Sequence, residues 1–497
     1  MGIINLFLSF IFVSLLLLTW GTQKKRHQLP PGPYPLPLLG NVLQGTTVLY
    51  DSYRKLFKQY GPVFTVWLGS TPAVVLCGYE VLKEALINHS QQFGARALLP
   101  LQIRLNKGFG IIVNNGHRWK EMRRFSVTTL RNFGMGKRSM EERIQEEALH
   151  LIQAIKETGG EPFDPLELLG RSVNNILNLV VFGRRWDYED QQFLLYLKIT
   201  FSLVGFIRSP LGVTYSAFPR IMRNLPGPHQ KIFQNNELLT SFFREQIESH
   251  RRTLDVDSPR DFIDCFLIKA NEQKDVQGSE FFMENLVYTV LDIYAAGTET
   301  TTNTLQFSLL VMLKYPHIQA RMQKEIDCIV GLHRLPEVAH RTQMPYTNAV
   351  VHEIQRFLDI VPMALHHKTT EDMTFRGFNI PKGTTVIPML GSALWDPDHW
   401  ETPEEFNPEH FLDEKGQFCN QAAFIPFSAG KRSCPGEGLA QMELFLFLTA
   451  LLQKFTIRAA SPTDTFNLGT LRRAFRKQGL YYQMRAVPRM CTEGGGD

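Results

Sequence analysis

Between Phe281 and Leu313 the chain runs for some 30 residues without a proline, until Pro316 stops it. A helix of that length is about 45 Å long. It is apolar on nearly every face from Leu286 to Ala296, the pattern of a central, buried helix. Its middle breaks that pattern: Ala296-Gly297-Thr298-Glu299-Thr300-Thr301-Thr302. Glycine and threonine are weak helix formers, and threonine hydroxyls bond back to carbonyls and bend a helix. An acid and four hydroxyls in a buried segment need partners. The expectation is therefore either a solvated kink with no chemistry or a distorted helix facing a reactive ligand, where π-bulges are often found. Burying it takes a large body, and 497 residues with 44% hydrophobic and 20% charged side chains supply one.

The net charge of +5 is too mild to argue for nucleic acid. Six cysteines in so long a chain make no disulfide scaffold and point to a reducing setting. Residues 3–20 carry no charge, and as a helix would span about 27 Å, close to a bilayer's hydrocarbon thickness. The segment lacks the basic start and small-residue cleavage site of a removable signal. Lys24, Lys25 and Arg26 follow it, which by the positive-inside rule keeps the body cytosolic. Asn88-His89-Ser90, a glycosylation acceptor sequence, would then stay unmodified. Prolines at 30, 31, 33, 35 and 37 make the next stretch a stiff spacer.

Beyond it, VFTVWLG and AVVLCG carry strand signals, residues 115–355 are mostly helical, and strands return in MTFRGFNIPKGTTVIPML. A last helical run, GLAQMELFLFLTALLQKF, follows Cys434. The expected fold is mainly α with a minor β region: a membrane anchor at 1–22, a basic and proline-rich linker at 23–40, one large domain at 41–490 and a disordered tail at 491–497. No internal repeat and no dividing linker is seen after residue 40.

Cys434 identifies itself by its neighbours. In Phe427-Ser-Ala-Gly430-Lys-Arg432-Ser-Cys434-Pro-Gly436, two glycines and a proline bend the chain around one thiol and a helix starts just after. Helix N–H groups with Lys431 and Arg432 favour thiolate, and a glycine-lined loop lets backbone approach a large flat ligand. Cys77, Cys265, Cys328 and Cys419 have no such setting and are expected to be inert and buried. Zinc is not supported, since no second Cys or His lies at ligand spacing. His352-Glu353 would begin a His-Glu-x-x-His site, but the fifth position is Arg356. There is no Walker loop and no dinucleotide fingerprint.

Here the chain resembles the haem-thiolate monooxygenases, the cytochrome P-450 enzymes. Phe427, Gly430, Arg432, Cys434 and Gly436 match the family's cysteine loop. Ala296-Gly297-Thr298-Glu299-Thr300-Thr301 matches the oxygen-activation segment, Glu353-Ile-Gln-Arg356 the Glu-x-x-Arg pair, and Trp119-Lys-Glu-Met-Arg123 the Trp-x-x-x-Arg helix. All four occur in the family's order, and PPGP, WKEMRRFS and FNPEHFLD are similar to the microsomal family-two enzymes of vertebrates. The resemblance runs from the anchor to about residue 487.

It implies haem b with Cys434 as the axial thiolate, the ligand that favours O–O cleavage. Arg96, Trp119, Arg123, His367 and Arg432 would hold the propionates. Trp119 and Arg123 also lie four apart on one helical face. Thr300 with Glu299 would manage protons, the acid directly or through water. Glu353 and Arg356 would form a structural pair. The family's third partner, an arginine, is replaced by His410 in Pro408-Glu409-His410-Phe411, a weaker or pH-dependent contact. An apolar substrate pocket would draw on Phe109, Ile112, the segment 201–208, Ala296, Met363, Ala364 and Leu365.

Electrons must come from outside: from NADPH through a flavoprotein reductase steered by Lys120, Arg124, Arg131, Lys137 and Lys431, with cytochrome b5 as an accessory donor the resemblance allows. The implied reaction inserts one atom of O2 into a fatty acid, steroid or xenobiotic by hydroxylation or epoxidation, at the endoplasmic reticulum membrane. Two other readings stand beside it: a reductase-independent haem-thiolate isomerase or lyase, and a non-catalytic haem-binding protein.

Overall fold

The computed structural model describes residues 29–37, 39–41, 49–133, 138–461, 467–478 and 480–489. The expected anchor at 3–20 and tail at 491–497 lie outside them, as does Lys137. Among the described residues no single helix is long and apolar enough to cross a membrane. The chain divides into two compact units. The first gathers the chain up to Ala97 with Val361–Pro403 and Ala422–Cys434; the second holds Leu98–Ile360, Glu404–Gln421 and the chain from Pro435 on.

The first unit is built on a five-stranded sheet. Its strands are β1 (Val63–Leu68), β2 (Thr71–Leu76), β3 (Ala95–Arg96), β4 (His367–Lys368) and β7 (Thr385–Pro388), in the order β1-β2-β7-β4-β3. A hairpin of β5 (Met373–Phe375) and β6 (Phe378–Ile380) stands apart from it. The β1–β2 hairpin is antiparallel, with Phe64 opposite Val75 and Val66 opposite Ala73. These residues fall on one face by strand alternation, and helix α1 (Leu49–Tyr60) lays Tyr50 and Tyr53 over them. Cys77, Ile387 and Met389 complete that core, against which Met363 packs. The strand signals at 63–76 and 373–388 are thus borne out.

The second unit is helical. Its main elements are α2 (Gly116–Phe133), α3 (Arg138–Glu157), α4 (Pro165–Phe182), α5 (Gln191–Arg208), α6 (Met283–Lys314), α7 (Pro345–Leu358) and α8 (Glu437–Lys454), with one hairpin of β8 (Phe455–Ala459) and β9 (Met484–Pro488). Pro165 begins α4 under an Asp164 cap that accepts from the Leu166 N–H, and Gly183 ends it in the left-handed region.

α6 is the axis of this unit, packed by α4, α5, α7 and α8. It is α-helical without interruption, so the expected bulge is corrected. The hydroxyls bond back to carbonyls as expected, without breaking the α pattern. Thr298, Thr300, Thr302, Thr304 and Ser308 each donate to the carbonyl four residues back at 2.6–2.8 Å, which satisfies them inside the helix. The one π turn among the described residues lies in the first unit, at Glu84–Asn88.

Candidate functional site

In the first unit the cysteine loop is a series of tight turns. Ser428 and Gly430 have φ of 63° and 71°, a 3-10 turn spans Gly430–Arg432, and the Cys434 N–H closes the loop onto the Phe427 carbonyl at 2.9 Å. A Cβ at Gly430 would lie 1.8 Å from the Leu86 carbonyl oxygen, so only glycine lets the loop lie against the π turn. The thiol of Cys434 is exposed, whereas Cys77 is buried and its pKa is pushed up by that burial. Cys265 and Cys419 are half-buried. Cys328 is exposed, against the expectation that it is buried.

The same unit brings Arg96, His367 and Arg432 together through its strands. β3 and β4 pair Arg96 with His367, and Arg96 donates to the Leu365 carbonyl at 2.7 Å and to the Arg432 carbonyl at 3.4 Å. Arg432 is buried and donates to the Gly94 carbonyl at 2.8 Å. His367 Nδ1 donates to the Phe93 carbonyl at 2.6 Å, which leaves its buried Nε2 with no partner. Burial, then the charges of Arg96 and Arg432, push His367 down to about 3. A carboxylate arriving at this small cleft, lined by Phe93, Gly94, His367 and Arg432, would favour protonation of Nε2, which could then donate to it. It would also cancel the field that keeps the ring neutral. The residues fit an anionic edge of a prosthetic group.

In the second unit Trp119 and Arg123 are half-buried on one face of α2. Between Asn285 and Met312 of α6 all residues are buried except Ile293, Ala295, Gly297 and Thr300, which are half-buried, and Ala296, which is exposed; Ile293, Ala296, Gly297 and Thr300 share one face. This i, i+3, i+4, i+7 stripe is an uncovered face on an otherwise covered helix. Gly297 has its own reason: a Cβ there would come within 2.8 Å of the Leu177 side chain of α4. Next to it Asn174 of α4 donates to Thr298 at 2.7 Å and accepts from Tyr294 at 2.8 Å, so the polar centre is tied across the two helices.

Glu299 is buried and does not turn toward that stripe. It pairs with Arg208, the last residue of α5, and is hydrogen-bonded by Asn303. Burial raises its pKa and the Arg208 charge opposes the rise. The segment 201–208, expected to contribute only apolar lining, therefore also supplies a cation. Thr301 is the other surprise. Its hydroxyl bonds the carboxyl of Glu443 on α8, which burial pushes up to about 8.

Glu353 and Arg356 pair on α7 at 2.6 and 2.7 Å, both fully buried. They hold the segment 405–410: the Asn407 N–H donates to Glu353 at 2.7 Å and Arg356 to the Glu405 carbonyl at 2.8 Å. His410 approaches Glu353 only at 3.3 Å, the weak third contact its sequence position implies.

Of the expected pocket residues, Phe109 stacks on Tyr288 with ring centres 5.8 Å apart and lies under Arg118. Met363, Ala364 and Leu365 are half-buried, Ala364 at φ 44°. Ile112 is positioned by a residue that sequence reasoning missed. Asp292, buried on α6, accepts from the Ile111 and Ile112 N–H groups at 2.7 and 2.8 Å and from the Asn106 amide at 2.6 Å. Burial raises it to about 7. Its signal was present: an acid amid apolar residues, two turns before Glu299. Of the basic residues expected to steer a reductase, Lys120, Arg124, Arg131 and Lys431 are exposed, and Arg124 pairs with Glu121 at 2.8 Å.

A thiol lifted into the open by a glycine-walled turn, and a helix whose buried middle opens around Ala296 and Thr300, are what a haem-thiolate oxygenase asks of its chain. A family model, Cytochrome P450, matches residues 30–474. Cytochrome P450 2C20 of Macaca fascicularis is 47% identical over 98% of this chain and 99% of its own length. Cytochrome P450 2A4 of Mus musculus is 49% identical over 92% and 93%, and cytochrome P450 2C8 of Homo sapiens 47% over 98% and 99%. The chain belongs to the cytochrome P450 family. It is a monooxygenase that uses haem b with a cysteine thiolate, O2 and NADPH-derived electrons from a reductase, on a lipophilic substrate.

Proposed function

We propose that the residues above divide the monooxygenase work as follows. Cys434 would supply the thiolate ligand of the haem, and Arg96, His367 and Arg432, and by the family likeness Trp119 and Arg123, would hold its carboxylates. When bound, the haem activates dioxygen so that one atom enters a C–H or C=C bond of the substrate and the other leaves as water. Thr300, open on α6, orders water beside the reacting face and passes protons that Glu299 supplies. Ala296, Phe109, Ile112 and the stretch Met363–Leu365 exclude water and favour a lipophile, whether fatty acid, steroid or xenobiotic. Glu353 and Arg356 hold segment 405–410 and take no part in the chemistry.

Residues 3–20 anchor the enzyme in the endoplasmic reticulum membrane, and the basic residues after them keep the catalytic body in the cytosol. Lys120, Arg124, Arg131 and Lys431 form the cationic docking set for the acidic reductase, and for cytochrome b5 where it serves as second donor.

The observation that carries this reading is the buried, unpartnered Nε2 of His367 beside two arginines, in the same unit that presents Cys434 openly. The test is the spectrum of the dithionite-reduced, carbon-monoxide-bound protein beside Cys434→His. The wild type should show a strongly red-shifted Soret band that the variant loses. A histidine-type spectrum in folded wild type would end the assignment of Cys434. For protons, Thr300→Ala should keep the red-shifted band but divert NADPH electrons to peroxide. Unchanged coupling of NADPH to product would remove Thr300 from the relay.

A further inference from the structure

The loop from the helix Pro100–Asn106 into α2 lies along the first turns of α6, and side chains alone fasten it there. The Gly110 N–H donates to the Asn285 amide oxygen at 3.3 Å, and the Ile111 and Ile112 N–H groups donate to Asp292. Among the described residues no main-chain bond joins loop to helix. Lys107, Gly108 and Gly110, with φ of 52°, 80° and 84°, flank Phe109, whose ring stacks on Tyr288 and meets Phe282 edge-on. Asn285 and Asp292 are buried. The outer fastening is Arg118, one residue before Trp119 on α2. Its Nε donates to Glu280, three residues before α6 begins, at 2.7 Å, and its guanidinium also donates to the Gly108 carbonyl at 3.3 Å. The same group lies 5.1 Å from the ring centre of Phe109 and 5.8 Å from that of Phe282. A planar cation serves both uses, its fork toward the carboxylate and its face toward the rings. Asn285 in turn donates to the Glu280 carbonyl at 2.8 Å, so the inner and outer fastenings share one turn of chain. The Arg118 side chain is 34% exposed and that of Glu280 14%, so water reaches this joint before it reaches Asp292. His117 stands 3.9 Å from Glu280 and is 71% exposed, too distant to take the place of the arginine.

We propose that Arg118 is a positioning residue: its pair with Glu280 latches Phe109 and the 108–112 loop onto α6, and release of that latch sets how fast a lipophile passes into and out of the pocket. Release costs the loop one part-exposed ion pair and one stacked cation, while Asn285 and Asp292 keep the rest of it seated. Entry and exit quicken together when the latch is lost, so rates move while affinity does not. The inference rests on the reading of Phe109 and Ile112 as pocket walls, and adds the residue that holds that wall in place.

Two measurements on the haem-loaded full chain decide it. Hydrogen exchange of the 108–112 amides, read by mass spectrometry without ligand, should quicken by about fivefold in Arg118→Gln and stay unchanged in α7. Stopped-flow binding of 4-phenylimidazole, a lipophile that ligates haem iron and shifts its Soret band, should show association and dissociation rates raised by a similar factor, with the dissociation constant little changed. Glu280→Gln should reproduce both effects, and the double variant should exceed neither single one, because the two side chains act through one bond. Arg118→Lys keeps the charge but not the planar stack and should restore the wild-type values in part. Exchange unmoved in both Arg118→Gln and Glu280→Gln overturns the latch. Exchange quickened with binding rates unmoved takes Phe109 and Ile112 off the substrate's route, which overturns the control of entry and the wall reading while the fastening stands. Should Arg118→Gln fail to load haem, Glu280→Gln, which leaves α2 untouched, carries both expectations.

Discussion

The cysteine loop and the centre of α6 both put polar chemistry where the chain needs it, by opposite means. The loop is local. Residues 427–436 carry their own instructions, because positive φ at Ser428 and Gly430, the 3-10 turn and the closure of the Cys434 N–H onto Phe427 all arise within ten residues. The centre of α6 is assembled from afar. Glu299 is answered by Arg208 at 91 residues' separation, Thr298 by Asn174 at 124, Asp292 by the backbone of Ile111 and Ile112 at about 180. A local site is exposed to any single change of shape; an assembled one degrades piece by piece. Perturbations of the loop should therefore be all-or-none, and those around α6 graded.

The largest effect is expected at Gly430→Ala. The added methyl would meet the Leu86 carbonyl oxygen at 1.8 Å on a backbone held at φ 71°, and the obstacle is main chain, not a side chain that can swing away. Haem incorporation, followed by the red-shifted carbon-monoxide band, should fall to near zero. A variant that still loads haem normally would show the loop to be more forgiving than its geometry implies. Glu353→Ala comes next. It strands Arg356, fully buried, and frees the Asn407 N–H, a loss of about 3–5 kcal/mol. Glu353→Gln should recover part of that midpoint in chemical unfolding, since it can still accept from Asn407.

The same contrast governs what the sequence disclosed. The loop, the Glu353–Arg356 pair at i, i+3, the strands at 63–76 and the extent of α6 were all legible, because each depends on neighbours in the chain. The state of the α6 centre was not. A threonine-rich stretch in isolation argues for a bulge; here each of five hydroxyls finds the carbonyl four residues back and the helix stays regular. Arg208 ends the apolar stretch 201–208, and nothing in the sequence names Glu299 as its partner. Asp292 and Glu443 read as odd acids in apolar helices, with nothing in the sequence to name Ile111, Ile112 or Thr301 as partners.

Asp292 lets the graded behaviour be measured by pH. Its folded pKa, about 7, lies above the unfolded value of 3.8, so the folded chain binds the extra proton between those limits. Stability from this group is fully present below about pH 4 and is lost as pH rises toward 7, by a few kcal/mol at most. Asp292→Asn keeps an acceptor for the Ile111 and Ile112 N–H groups and should flatten that slope in thermal melts from pH 4 to 7. Asp292→Ala removes the acceptor, leaves two buried donors unmet and should cost about 2–4 kcal/mol at any pH, with weaker substrate binding as the 110–112 loop loosens. A slope unchanged in Asp292→Asn would assign the titration to another group.

His410 is where the assembled network should matter least. It is buried beside Glu353, yet its Nδ1 stands 3.3 Å from Oε2, while Arg356 and the Asn407 N–H already hold that carboxylate at 2.6–2.7 Å. Three good donors leave little for a fourth at long range to add. His410→Gln, which preserves size and a donor, should shift the unfolding midpoint by less than about 1 kcal/mol and leave haem content unchanged. The same change made together with Glu353→Gln tests whether the histidine is a partner at all. If the two losses simply add, His410 is packing beside the pair; an interaction energy above about 1 kcal/mol would make it a true third member, standing where the family carries an arginine.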